Sequence, residues 1–176
     1  MDNKDNTLII KNAVIVRRNF EGRVDNYNKS GDRTFSVVID NELARALKND
    51  GWNVKFDKRY DADDPDAPAY LDVKVSYDNA RYIPKIVQVT YDSEGRPRRT
   101  FFHKNTVANL DSADIEDVRL EINPHNYTVN NHSGIKAYLR TMYFTLVKDP
   151  FEDEYGPFAD EMQQGGYDIP FSTEDE

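Results

Sequence analysis

Arg33-Thr34-Phe35-Ser36-Val37-Val38-Ile39-Asp40-Asn41-Glu42-Leu43-Ala44-Arg45-Ala46-Leu47-Lys48-Asn49-Asp50-Gly51-Trp52-Asn53-Val54-Lys55-Phe56 carries three structural signals in succession. Phe35, Val37 and Ile39 alternate with Thr34, Ser36 and Asp40, the period of a half-buried strand. Asp40 then has the chemistry of a helix N-cap, and Leu43, Ala44 and Leu47 stripe one face of a short helix. Glu42 near its start and Lys48 near its end suit the helix dipole. Gly51 reads as the left-handed residue past the end, with Trp52 sealing it by an apolar contact. Trp52 could instead stack on a base, but the cap role is the simpler one. Residues 53–56 resume as a short strand.

Outward from this stretch the chain is rich in strands. Residues 8–20 open with a β-rich run and turn basic at Arg17, Arg18 and Phe20, so they form a hairpin with 33–40. Its long connection carries turn chemistry at Glu21-Gly22-Arg23 and at Asn28 to Asp32. Residues 57–69 are an acidic, Pro-containing loop. In residues 70–77, Leu71, Val73, Val75 and Tyr77 alternate with Tyr70, Asp72, Lys74 and Ser76. Residues 85–91 and 96–104 pair across Asp92-Ser93-Glu94-Gly95, residues 106–115 are a loop or short helical turn, and 118–122 alternate again. Asn130 to Gly134 turns the chain into a closing strand over 135–147. About six or seven strands with one inserted helix describe a barrel or a sandwich. The small single-helix barrel that best fits is the OB-fold.

Charge divides the chain differently. Ten of the 32 acids and none of the 23 bases lie in residues 149–176, so the body is near neutral and the net charge of −9 belongs to the tail. Acid with Pro, Gly and Gln cannot bury enough apolar area to offset ordering entropy, which predicts a disordered tail. The expected organisation is therefore a domain over 1–148 and an acidic tail over 149–176. Near the end stands an apolar island, Tyr167-Asp168-Ile169-Pro170-Phe171, with the look of a linear motif for a protein partner. A solubilising tail with incidental aromatics is the plainer alternative. There is no cysteine, hence no disulfide framework or thiolate metal site. No apolar run approaches the roughly 18 residues of a membrane span, and the first residues are not a signal peptide. These features predict a soluble intracellular protein that does not engage a membrane.

Catalytic signatures are missing. The three His at 103, 125 and 132 have no metal-ligand spacing, and there is no phosphate-binding loop or nucleophile elbow. The Asp61, Asp63, Asp64 and Asp66 cluster fails the EF-hand pattern and contains Pro65, which makes it a solvated loop. No cofactor or metal is expected.

What recurs is a base beside an aromatic: Arg17, Arg18 and Phe20; Arg23 and Tyr27; Lys55 and Phe56; Arg59 and Tyr60; Arg81 and Tyr82; Tyr91 with Arg96, Arg98, Arg99 and Phe101. Lys136, Tyr138 and Arg140 share one face of the closing strand by the period of two. Phosphates need cations along a groove and unpaired bases need flat rings, so this pairing suits a binder of single strands. Arg33 and Lys74 complete the expected interface. In a near-neutral body the cations must gather on one face, and some of these aromatics must be core.

The Asp168-Ile169-Pro170-Phe171 tip after an acidic tail resembles that of bacterial single-stranded DNA-binding proteins. Residues 33–40, 50–55, 84–87 and 134–143 are similar to phage-encoded OB-fold single-stranded DNA-binding proteins. The resemblance implies a non-catalytic protein that coats single strands in DNA replication or recombination, in the host cytoplasm. It also implies a tail tip (Asp168, Ile169, Pro170, Phe171) that recruits replication or recombination proteins. In the bacterial family the Phe is terminal; here Ser172-Thr173-Glu174-Asp175-Glu176 follow, so a partner would read an internal motif. A homo-oligomer is compatible with the sequence. The competing classes are a protein–protein adaptor that does not bind DNA and, behind it, a metal-dependent nuclease using the Asp61–Asp66 cluster.

Overall fold

The computed structural model describes residues 6–148 and Phe151. The chain divides into two units, 1–146 and 147–176. Of the second, Val147, Lys148 and Phe151 are described, each exposed; the rest of the tail and its 168–171 tip lie outside the described residues.

The first unit runs β1 (Leu8–Asn19), β2 (Thr34–Ile39), α1 (Asn41–Asn49), β3 (Val54–Phe56), β4 (Ala69–Lys74), β5 (Lys85–Tyr91), β6 (Pro97–Phe102), β7 (Ile115–Val129) and β8 (His132–Leu146). Short 3₁₀ helices lie at Ala80–Tyr82 and Val107–Asp111. The sheet order is β3-β4-β2-β1-β7-β8-β5-β6, and an additional β4–β8 pairing closes five of these strands into a barrel. That closing contact is parallel, Val73 opposite Ala137 and Lys74 opposite Tyr138, whereas β1 meets β7 antiparallel. This is the OB-type barrel expected from the sequence. The helix joins β2 to β3, and the β5–β6 hairpin extends from β8 as a wing.

The helix ends as its residues dictate. Asp40 accepts from the Leu43 amide at 2.7 Å. At the other end the Trp52 amide donates to the Leu47 carbonyl and the Gly51 amide to the Lys48 carbonyl, each at 3.0 Å. Gly51 has φ +98°, which completes a Schellman end. Trp52 is buried, the sealing role rather than a free stacking plate.

The core follows the alternation: Phe35, Val37 and Ile39 from β2, Leu71 and Val73 from β4, Val118, Leu120 and Ile122 from β7. Phe20 is fully buried in this core, stacked on Phe35 with centroids 5.4 Å apart. Its amide donates to Asp111 Oδ1 at 2.6 Å and its carbonyl accepts from Arg33 at 2.6 Å. Arg18 donates to the Leu110 and Ala113 carbonyls, tying β1 to the 107–111 turn.

Closing a five-strand barrel needs bends. Register shifts occur between Ile10 and Ala13, between Val16 and Asn19, and between Glu116 and Arg119. Each brackets a residue with left-handed φ: Asn12 (52°), Arg17 (51°) and Asp117 (50°). These are β-bulges, which coil a strand more tightly and re-aim its side chains.

The sequence reading falls short at the last hairpin. β7 and β8 are each 15 residues long and meet at Asn130-Asn131, whose φ values of 50° and 65° make a primed two-residue turn. Asn supplies the left-handed turn here, so Ser133 and Gly134 are strand rather than loop. Pro124 lies in β7 beyond its pairing with β1, where the strand is laddered on one side.

Candidate nucleic-acid interface

In an OB barrel the outward face of the second and third barrel strands, with its flanking hairpins, is where oligonucleotides bind. Here those strands are β2 and β4. Because β4 alternates, Leu71 and Val73 enter the core and Tyr70, Asp72 and Lys74 face outward. Arg17 is thrown across this face by its bulge, with its guanidinium 4.3 Å from the Tyr70 ring centroid. Asp72 sits at the centre, accepting from Ser36 at 2.6 Å and from Lys55. Burial pushes the Asp72 carboxyl up, but the Lys55 and Ser36 hydrogen bonds outweigh it and leave its pKa below the ordinary value. Lys74 pairs with Asp32 at 3.3 Å and lies 5.9 Å from the Tyr138 ring. Cations, rings and one central carboxylate thus form a single surface.

The β7–β8 hairpin extends it. Tyr138 and His125 pack with centroids 5.0 Å apart, and Lys136 Nζ lies 4.9 Å from the Tyr127 ring. Tyr127 is fixed by Asn53, which donates to its hydroxyl at 3.0 Å. Gly134 permits that approach, since a Cβ there would lie 2.7 Å from both the Asn53 Oδ1 and the Tyr127 hydroxyl. Arg140 pairs with Glu121 at 3.4 Å. Beside them opens a cleft of about 850 Å³ lined by Arg81, Tyr82, His125, Tyr138 and Arg140, among others. Arg81 lies over Tyr82 at 5.7 Å, and Tyr82 is exposed. The cleft offers rings for stacking and guanidinium groups for phosphate within one wall.

The residues expected from the sequence do not all share this face. Arg17, Lys55, Lys74, Lys136, Tyr138 and Arg140 are gathered on it. Arg18, Phe20 and Arg33 turn inward: Phe20 is fully buried, and both arginines donate to backbone carbonyls. In the 20–33 connection Tyr27 is 100% exposed, and Arg23 lies 3.9 Å from Glu21. Arg59 grips Asp57, whose carboxyl its side-chain and backbone hydrogen bonds lower from 3.8 to about 2; Tyr60 beside it is exposed. Arg96 is held by Asp92 and Glu94 at 3.1 and 2.7 Å. Tyr91, Arg98, Arg99 and Phe101 lie on the wing, with Arg98 and Arg99 directed to opposite faces of β6. The Asp168, Ile169, Pro170 and Phe171 tip is outside the described residues.

Sequence reasoning passed over Tyr70, His125, Tyr127, Lys85 and Tyr143. Tyr70 was within reach, since it shares the period-two face of Lys74. His125 and Tyr127 were hidden because their strand was ended at residue 122. Among the described residues no group of three or more His, Asp or Glu is placed to hold a metal ion, and no helix is long and apolar enough to cross a membrane.

A family model described as "Putative phage ssDNA-binding domain" matches residues 2–171, and the chain belongs to that family. Among solved structures the chain is similar to the single-stranded DNA-binding protein from bacteriophage Enc34 in complex with ssDNA. The identity is 13% over 84% of this chain and 90% of that one, with a TM-score of 0.50. It is also similar to gp2.5, a single-stranded DNA-binding protein encoded by bacteriophage T7, at 10% identity over 93% and 98% of the two chains and a TM-score of 0.40. At such identities the likeness to the Enc34 protein is one of fold. No curated protein matches the chain.

Proposed function

We propose that this protein binds single-stranded DNA without catalysis and coats it during phage DNA replication or recombination in the host cytoplasm. The observation that carries the reading is the outward face of β2, β4 and β8 in a chain of the phage ssDNA-binding family. On it Arg17 covers Tyr70, Lys74 approaches Tyr138 and Lys136 covers Tyr127. The strand's phosphates follow Arg17, Lys55, Lys74, Lys136 and Arg140, and its bases stack on Tyr70, Tyr127 and Tyr138. Each stacked base contributes about 1–3 kcal/mol whatever its identity, which suits a coating protein. Tyr27 and Arg23 in the 20–33 connection form one border of the path and Tyr60 another.

The test is fluorescence anisotropy of an oligothymidine of roughly thirty nucleotides, longer than the site of one barrel. Affinity should fall with salt, by a log–log slope of about −0.7 per phosphate contacted, and duplex DNA should compete poorly. Absence of binding at low salt would retire the reading and leave the protein–protein adaptor in its place.

The acidic segment 149–176 recruits replication or recombination proteins through Asp168, Ile169, Pro170 and Phe171. Its composition supports this: an apolar island among acids, with no base in the segment. Full-length protein should capture a partner from infected-cell extract, and Phe171→Ala should lose that partner while keeping DNA affinity. Equal capture by both would remove the tip from the account.

A further inference from the structure

The barrel strand β8 does not stop at the barrel. Its first half pairs with β4 and its second half with β5. Between them it carries an extra residue: Ile122 faces Leu139 and Glu121 faces Thr141, leaving Arg140 unmatched. After this bulge Met142 and Phe144 enter the core, so Tyr143 continues the outward face. The register then sets a row across four strands, with Arg119 opposite Tyr143, Tyr143 opposite Val87, and Val87 opposite Phe101. Val87 is fully buried beneath that row, while Phe101 is 50% exposed. Lys85 Nζ lies 5.4 Å from the Tyr143 ring and 5.9 Å from the Phe101 ring. Hydrogen bonding from Lys85, and then from Arg99, holds the Tyr143 phenol below its ordinary pKa.

The charges around this row are unequal. Lys85, Arg99 and Arg119 make no ion pair with a carboxylate among the described residues. Strands β5 and β6 contain no acid. The acids of β7 beside the row are Glu116, opposite Thr145 in the ladder, Asp117, which accepts from Thr145 at 3.2 Å, and Glu121, which pairs with Arg140. Asp92 and Glu94, in the hairpin turn, hold Arg96. A surface with spare cations between two rings is complementary to a polyanion that also carries flat bases.

We propose that the outer face of the β5–β6 wing is a second contact surface for the same DNA strand, with Lys85, Arg99 and Arg119 on phosphates and Tyr143 and Phe101 on bases. The inference rests on single-strand binding by the barrel face. Tyr138 and Tyr143 lie roughly 15 Å apart along β8, so a strand leaving the barrel face reaches the wing without a detour. Tyr143 and Phe101 stand two strand spacings apart, roughly 10 Å, which leaves room for the phosphates that Lys85 serves. The wing therefore lengthens the site rather than duplicating it.

The experiment compares full-length wild type, Lys85→Gln/Arg99→Gln and Phe101→Ala on oligothymidines of about five and about sixteen nucleotides, near the two ends of the site-size range of one barrel. Thermal melting checks that the variants remain folded. The double variant should lose about tenfold on the longer oligomer, and its salt slope should be shallower by about 1.4, two phosphate contacts. Phe101→Ala should lose about tenfold there as well. Neither should weaken the short oligomer, which the barrel face holds. Wild-type affinity and slope for both variants on the longer oligomer would overturn the wing while leaving the barrel face intact. Wild-type protein that binds neither length would overturn both.

Discussion

The barrel face and the wing use the same residue types with opposite electrostatic bookkeeping. On the barrel face Lys55 pairs with Asp72, Lys74 with Asp32 and Arg140 with Glu121. On the wing Lys85 and Arg99 lean on aromatic rings and on a phenol instead. Surface ion pairs of this kind contribute about 0–1 kcal/mol each, so the acids are weak competitors that a phosphate displaces. Their effect is positional: cations on long stems are held where the rings are. The wing's cations carry a field that extends about 8 Å at physiological salt, and they suit first encounter more than fixed register. If both proposed surfaces bind DNA, the barrel face is suited to hold a strand and the wing to attract it.

Truncating rings separates the two regions most sharply. Phe20→Ala, under the barrel face, should cost about 3–5 kcal/mol in stability by emptying a fully buried ring site. Calorimetric or denaturant unfolding would register it, and the folded fraction should still bind DNA. Tyr138→Ala, on the face itself, should do the reverse. It should lose about ten- to a hundredfold in oligothymidine affinity with little change in melting, and an unchanged affinity would take Tyr138 off the path. Asp72→Asn makes the barrel face more like the wing by freeing Lys55, so affinity at low salt should rise by about threefold, roughly half a pKa unit in energy.

Acid should erase that contrast. Asp57 and Asp72 both have folded pKa values below their ordinary ones, so each stabilises the fold above the unfolded value. That contribution disappears as pH falls through the folded value, which for Asp57 is the window from 3.8 down to about 2. The melting-temperature deficit of Asp57→Asn should therefore shrink across that window; a constant deficit would argue against the Arg59 contact. The smallest expected effect is spectroscopic. Tyr143 should ionise early because Lys85 and Arg99 favour its phenolate, and Tyr77 late because burial opposes it. Tyr143→Phe should remove absorbance change from the low-pH side of an ultraviolet titration, and Tyr77→Phe from its high-pH side.

Local chemistry was legible in the sequence and non-local geometry was not. Asp40, Gly51 and Trp52 announce both helix ends because few residue types can occupy those positions. The alternation in 33–40 and 70–77 assigns Phe35, Val37, Leu71 and Val73 to the core for the same local reason. The parallel β4–β8 contact that closes the barrel joins residues 73 and 137, and no local signal encodes it. The site shows the same limit. Adjacency grouped Phe20 with Arg17, yet the bulge at Arg17 lays that guanidinium over Tyr70 while Phe20 is buried in the core. Lys136, Tyr138 and Arg140 looked like a complete set because the bulge at Arg140, which brings Tyr143 onto the same face, leaves no mark in the pattern.

Arg17 illustrates a conflict between two kinds of fitness. An arginine with φ of 51° occupies backbone territory that costs an L-residue about 1–2 kcal/mol, and glycine would occupy it freely. Selection for robustness alone would favour Arg17→Gly, which should raise the melting temperature or leave it unchanged. The same change removes the guanidinium over Tyr70 and should weaken DNA binding. Variants evolved for heat tolerance without a DNA requirement should lose this arginine early, and those kept under replication pressure should keep it.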